Sequence, residues 1–167
     1  MTNSTISGNA AGQAGGGLNT GSGGSLRHVT LAGNRAAIGG GIAVEFGSAP
    51  VLTNTIVANS PQGGNCFGAA LPAKYSLDSD STCSLAGTGN KLGDPRLTGL
   101  GDYGGPTNVH MLLADSPALN GVMGSDAAPV DQRGRPRPVG PYDIGAVERQ
   151  IDDSSLAPRL WLPLVVR

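Results

Sequence analysis

Few residues of this chain have the type and spacing to do chemistry. In the first half they are Arg27, His28, Arg35 and Glu45, an acid that could hold a cation and bases that could take a proton from an acidic sugar. They are scattered and lack a second acid, so they read as solvated surface groups. Asp78 and Asp80 in "SLDSDST" alternate like the start of a calcium loop. The glycine at the sixth position and the closing glutamate of such a loop are missing, which leaves an ordinary Asx-turn loop. Arg133, Arg135 and Arg137 stand among Asp131, Asp143 and Glu148. Their guanidinium forks suit the carboxylates of an acidic sugar or of the chain itself, and the reading adopted is a set of ion pairs pinning an irregular segment. His110, between Val109 and Met111, reads as a hydrogen-bonded packing residue. No catalytic, cofactor-binding or metal-binding residue is assigned.

Cys66 and Cys83 are the only cysteines. Zinc would want four ligands, usually in close-spaced pairs, and the two histidines lie far off in sequence. The pair reads first as a disulfide, second as reduced structural thiols and last as part of a metal site. A bridge closing a loop of that length contributes about 3 kcal/mol and belongs to an oxidising compartment.

What would position these residues is a repeat. "NSTISGNAAGQAGGGL", "SLRHVTLAGNRAAIGGGI" and "VLTNTIVANSPQGGN" align, with Thr5, Thr30 and Thr55, Ile6, Leu31 and Ile56, and Asn9, Asn34 and Asn59 each at steps of 25 residues. Leu26 and Val51 extend the columns backwards. A period in the twenties implies stacked units, none able to bury its own apolar face. No stretch before residue 65 escapes Gly, Asn or Thr long enough for a helix, and the Leu-x-x-Leu-x-Leu series of a leucine-rich repeat is absent. The expected fold is all-β: a right-handed parallel β-helix of about three turns of ~25 residues, followed by an irregular C-terminal cap. Ile6, Leu31 and Ile56 would stack inside, joined by Leu18 and Ile42, while Asn9, Asn34 and Asn59 would form an amide ladder at a corner. Gly8 and Gly33 precede that corner. Ser4, Val29 and Asn54 fit the alternation poorly, since a polar residue pointing inward needs a partner or a bend.

Composition bounds the partners. The net charge is -1, so electrostatics give no reason to expect nucleic acid, and 28 of 167 residues are glycine, more than twice ordinary usage. No apolar run is long enough to span a bilayer. "MTNSTISGN" has no basic region followed by an apolar run and opens inside a repeat, so no signal peptide is expected in this chain and its first strands should form an open edge.

"GDPRLTGLGDYGGPTNVHMLLADSPALN" and "DQRGRPRPVGPYDIGAVE" carry a resemblance. The order Asp94, Pro95 and Leu97, then Gly104 to Thr107, His110, Ser116 to Ala118, Asp131, Arg133, Gly134, Arg137 and Pro138, and Asp143 to Ala146 with Glu148 resembles the C-terminal part of secreted bacterial right-handed β-helix proteins. These are the polymorphic-outer-membrane-protein-like repeat proteins with a choice-of-anchor Q domain. The chain departs from that pattern at Tyr103, Val109 and Asn120, where Asn, Thr and Asp are expected. The resemblance implies an exported, cell-surface module whose repeats present a binding face, and it carries over no catalytic set. The final "RLWLPLVVR" resembles the Leu-Pro-Leu tails that end many exported proteins of some filamentous bacteria, or reads equally as a last edge strand.

The expected organisation is β-helix turns over 1–65, the cap over 66–148, and a linker with a short apolar tail over 149–167. The expected function is non-enzymatic adhesion or structural presentation, including the possibility of a cap that ends a longer β-helix. A surface glycan or a protein is the expected partner, and self-association through residues 3–9 is expected of the open edge. The alternative is the C-terminal piece of a β-helical carbohydrate-active enzyme, of the polysaccharide-lyase kind, whose active turns lie elsewhere.

Overall fold

The computed structural model describes residues 1–123, 128–138 and 140–154; the apolar tail with Trp161 lies outside the described residues. The chain is a parallel β-solenoid of about three turns. Strands β1 (Thr2–Ser7), β3 (Ser25–Ala32), β5 (Val51–Thr53), β6 (Ile56–Ala58), β8 (Ala73–Lys74), β9 (Leu77–Asp78) and β10 (Lys91–Leu92) form one sheet. Strands β2 (Leu18–Asn19), β4 (Ile42–Val44) and β7 (Cys66–Gly68) form a second. Every pairing between these strands is parallel, as stacked turns of one helix require.

The long strand β3 spans two columns of the large sheet. Its first half pairs with β5 and its second half with β6. Between them the backbone bends at His28, and its neighbours Asn3, Asn54 and Tyr75 bend in the same place, all four with φ between +46 and +53°. Asparagine visits that region readily; His and Tyr are held there by the stack. The bend restarts the alternation, so Leu26, Val29 and Leu31 all join the core, with Leu52, Val57, Ile42 and Val44.

The same bend accounts for the column that fitted alternation poorly. Its third member is Thr55 rather than Asn54, one residue on. The Ser4, Thr55 and Ser76 hydroxyls each donate to the carbonyl two residues earlier, on Thr2, Thr53 and Lys74, at 2.8 to 3.1 Å. Polar residues are tolerated there because each closes its own turn.

The register shifts by one residue in the third turn. The step between paired residues is 25 from Ile6 to Leu31, but 26 from Thr30 to Ile56. Leu31 therefore stacks on Val57, not on Ile56, and Leu26 stacks on Leu52, leaving Val51 exposed. Ile56 is buried on the opposite face. Asn59 moves likewise: it pairs in register with Gly33 and takes the left-handed conformation, φ +57°, that Gly8 and Gly33 take above it. Of the expected ladder, Asn9 and Asn34 remain bonded, the Asn34 Oδ1 accepting from the Asn9 backbone N–H at 3.0 Å.

The steps then shorten, to 21 from Ile56 to Leu77 and 14 from Leu77 to Lys91, so the solenoid tapers. At the narrow end Cys66 and Cys83 form the expected disulfide, with Cα atoms 4.7 Å apart, and both pack in the core cluster.

The C-terminal segment does not simply sit on that end. It runs back along the outside of the large sheet and covers it. Leu112, Ala118, Val122, Tyr142 and Ile144 pack on the outward side chains of Ile56, Ala58 and Leu77. The Gly145 N–H donates to the Asn54 carbonyl at 2.9 Å, and the Ala146 N–H to Thr30 Oγ1 at 3.0 Å. A Cβ at Gly145 would lie 2.8 Å from both Ile56 Cδ1 and Thr30 Oγ1, so the close approach demands glycine. Asn3, Thr5 and Ser7 of the first turn bond Val130, Gln132 and His110, which extends the clasp over the whole height of the solenoid.

Candidate functional site

Three asparagines shape corners of the solenoid. The Asn34 amide donates to the Ile6 carbonyl and its oxygen accepts from the Asn9 N–H. Asn65 does the same for Val57 and Ser60, and Asn90 for Ala73 and Ser76. Each side chain thus bridges a four-residue bend whose third residue, Gly8, Asn59 or Tyr75, is left-handed. Asn65 and Asn90 were not singled out from the sequence; the only signal would have been an asparagine directly after a glycine in "GGN" and "GTGN".

The repeat residues with catalytic types do not converge. Arg27 and His28 lie on β3, Arg35 is exposed beyond its end, and Glu45 is exposed beyond β4 of the other sheet, where it accepts from the Asn19 amide at 3.0 Å. His28 is fully buried at the bend, its Nε2 3.3 Å from both the Ala128 backbone N–H and the Asn54 amide.

Asp78 and Asp80 build two successive Asx turns. Asp78 Oδ1 accepts from the Asp80 N–H and the Asn65 amide, and its Oδ2 from the Cys83 N–H. Asp80 accepts from the backbone of Asn65 and from the backbone and hydroxyl of Thr82. The loop carrying Cys83 is held by these carboxylates. Burial pushes the Asp78 carboxyl up, while hydrogen bonds from Thr82 and Asn65 hold that of Asp80 down against its desolvation. Among the described residues no group of three or more His, Cys, Asp or Glu side chains is placed to hold a metal ion.

His110 packs as expected beside buried Val109 and Met111. Its Nδ1 donates to the Thr98 carbonyl at 2.7 Å and its Nε2 accepts from the Ser7 hydroxyl at 2.8 Å. Burial holds the imidazole below the usual histidine range, which favours the neutral ring this pattern needs.

The densest constellation lies in the clasp. Asp131 accepts four hydrogen bonds: Oδ1 from the Arg133 and Arg135 backbones, Oδ2 from Arg133 Nε and the Glu148 backbone. Arg133 is fully buried and grips Asp153 with both terminal nitrogens at 3.0 and 3.1 Å. Arg135 pairs with Asp152 at the surface. Arg137 reaches Glu148 Oε2 and the Gly145 carbonyl, both at 2.9 Å. Asp143 accepts from the Asn120 and Arg149 backbones, one oxygen each. Asp152 and Asp153 fall in the expected linker; their partnership with Arg133 and Arg135 was legible only as two acids within reach of an arginine-rich turn.

A groove of about 290 Å³ opens beside this network, lined by Asn120, Arg137, Glu148, Arg149 and the prolines 136 and 138; a shallower extension of about 200 Å³ reaches Asp143. Desolvation, reinforced by the neighbouring Asp143 charge, pushes the Glu148 carboxyl up to about 7 against the pull of Arg137. Its Oε2 takes two hydrogen bonds and its Oε1 takes none among the described residues. One acid with one free oxygen can hold a proton at neutral pH. The neighbouring Asp143 accepts one backbone N–H on each of its oxygens, so its carboxylate is oriented by the chain.

No helix among the described residues is long and apolar enough to cross a membrane. No family model matches the chain, and no curated protein and no solved structure matches it.

Proposed function

We propose that this chain is a non-enzymatic, extracellular or cell-surface β-helix module of bacterial origin, of the polymorphic-outer-membrane-protein-like, choice-of-anchor Q kind, that presents a sheet face to a surface glycan or protein. The observation that carries this reading is how the acids are used. Asp131 and Asp143 have every carboxylate oxygen bonded to the chain's own N–H groups. Carboxylates satisfied in this way by the chain's own N–H groups serve the fold, which supports a structural use of these acids. The buried disulfide fits an oxidising compartment.

The large sheet is covered by the clasp, so the face on offer is that of β2, β4 and β7. It bears Phe67 and, just past β4, Phe46, which is 84% exposed. Aromatic side chains left in solvent are characteristic anchors of recognition surfaces. Phe46→Ser with Phe67→Ser should abolish binding to a glycan or cell-surface preparation that retains the parent protein, with melting temperature unchanged. Equal retention of both would reject this face. Acidic polysaccharides, with or without calcium, should yield no product; turnover lost on Glu45→Gln or Arg35→Ala would support the lyase alternative.

A further inference from the structure

Asn120 is the only asparagine in the chain followed by glycine. It is exposed, it has a left-handed backbone (φ +48°), and its side-chain amide has no hydrogen-bond partner among the described residues. The Gly121 backbone N–H has none either among the described residues. Flanking bonds are firm: the Asn120 N–H donates to Asp143 Oδ1 at 2.8 Å and the Val122 N–H to the Tyr142 carbonyl at 3.0 Å. A Cβ at residue 121 would lie 2.7 Å from Ile144 Cδ1 and 3.1 Å from the Ala118 carbonyl, so any other residue there would require the buried Ile144 side chain to move. A nucleophile with no side chain to shield it thus stays next to an uncommitted amide.

We propose that Asn120–Gly121 is a site of spontaneous covalent modification, at which Asn120 becomes aspartate and isoaspartate, and that the lengthened isoaspartate backbone loosens the clasp. The Gly121 nitrogen loses its proton and attacks Asn120 Cγ. The new C–N bond closes a succinimide, the Cγ–Nδ2 bond breaks, and ammonia leaves with the proton. Water then opens the ring at either carbonyl. The balance is one amide and one water giving one acid and one ammonia, with no oxidant or cofactor. Residue 120 lines the same groove as Asp143, Glu148 and Arg149, and the isoaspartate product inserts a methylene into the backbone between the Asn120–Asp143 and Val122–Tyr142 bonds, which cannot then both keep their register.

The test incubates the full folded chain in mildly alkaline buffer beside a synthetic peptide covering Pro117 to Met123. Site-resolved mass spectrometry and isoaspartate methyltransferase labelling follow both. Conversion at Asn120 in the folded chain is expected within about tenfold of the peptide rate, the penalty of a modest local opening, with no labelling at this site in Asn120→Gln. Full conversion of the peptide while the folded chain keeps Asn120 would overturn the proposal. The isoaspartate-containing fraction, separated after incubation, should melt below the parent, while Asn120→Asp, which keeps the normal backbone length, should melt near it. Identical melting of the isoaspartate form and the parent would overturn the effect on the clasp.

Discussion

Glu148 answers to two neighbours at once. Its Oε2 accepts from the Asp143 backbone at 3.0 Å and from Arg137 at 2.9 Å, while the side chain is nearly excluded from solvent. Burial and the Asp143 charge outweigh the arginine and raise its carboxyl from 4.5 to about 7. The folded state therefore holds a proton that the unfolded chain has released, across the window between those values. Stability from this group is full below about pH 4.5 and is lost as pH rises towards 7. His110 works in the opposite sense: its lowered value makes the fold lose stability as pH falls below 6.5. Denaturant unfolding of the parent and of Glu148→Gln across this range should give curves whose difference slopes against the parent with rising pH; parallel curves would show that Glu148 is ordinary. That these arginines and acids pair with one another was legible from guanidinium forks beside carboxylates. Which acid meets which arginine was not, because it depends on a chain reversal that carries Asp152 and Asp153 back onto the turn after Asp131.

The turns were legible as elements, and the glycines, asparagines and period placed them. The one-residue shift in the third turn was not. "TIVA" offers both Ile56 and Val57, and all three residues of β6 are buried. The clasp covers the outside of this strand while the core covers the inside, so it reads as a continuous apolar run and alternation loses its power to choose a face. The left-handed bend at Asn54 decides the matter by advancing the inward position to Thr55 and Val57. Leu31 remains the hub, fully buried between Ile6 and Val57. Leu31→Asp should cost more than about 3 kcal/mol, or prevent folding, because an unpaired charge would lie in an apolar stack. Arg35→Ala, at an exposed corner, should stay within about 0.5 kcal/mol of the parent. Equal melting temperatures would mean that the inward column is wrong.

At the scale of the molecule, three features combine: a β-solenoid, a taper closed by the Cys66–Cys83 bridge, and a segment that folds back along one side. The taper follows from turns that lose residues, and the clasp from apolar groups on the outer face of β6 and β9 that would otherwise face water. The C-terminal segment is irregular, as its Pro- and Gly-rich sequence implies, but its position on the flank has no local signature, since it rests on contacts more than a hundred residues apart such as Ala146 with Thr30. The central claim is that clasp and solenoid form one cooperative unit in which the polar side chains serve the fold. Native-state hydrogen exchange tests it most directly. The amides of Ile144, Gly145 and Ala146 should open with the same free energy as those of Leu31 and Val57. Fast exchange in the clasp while the solenoid stays protected would contradict the account.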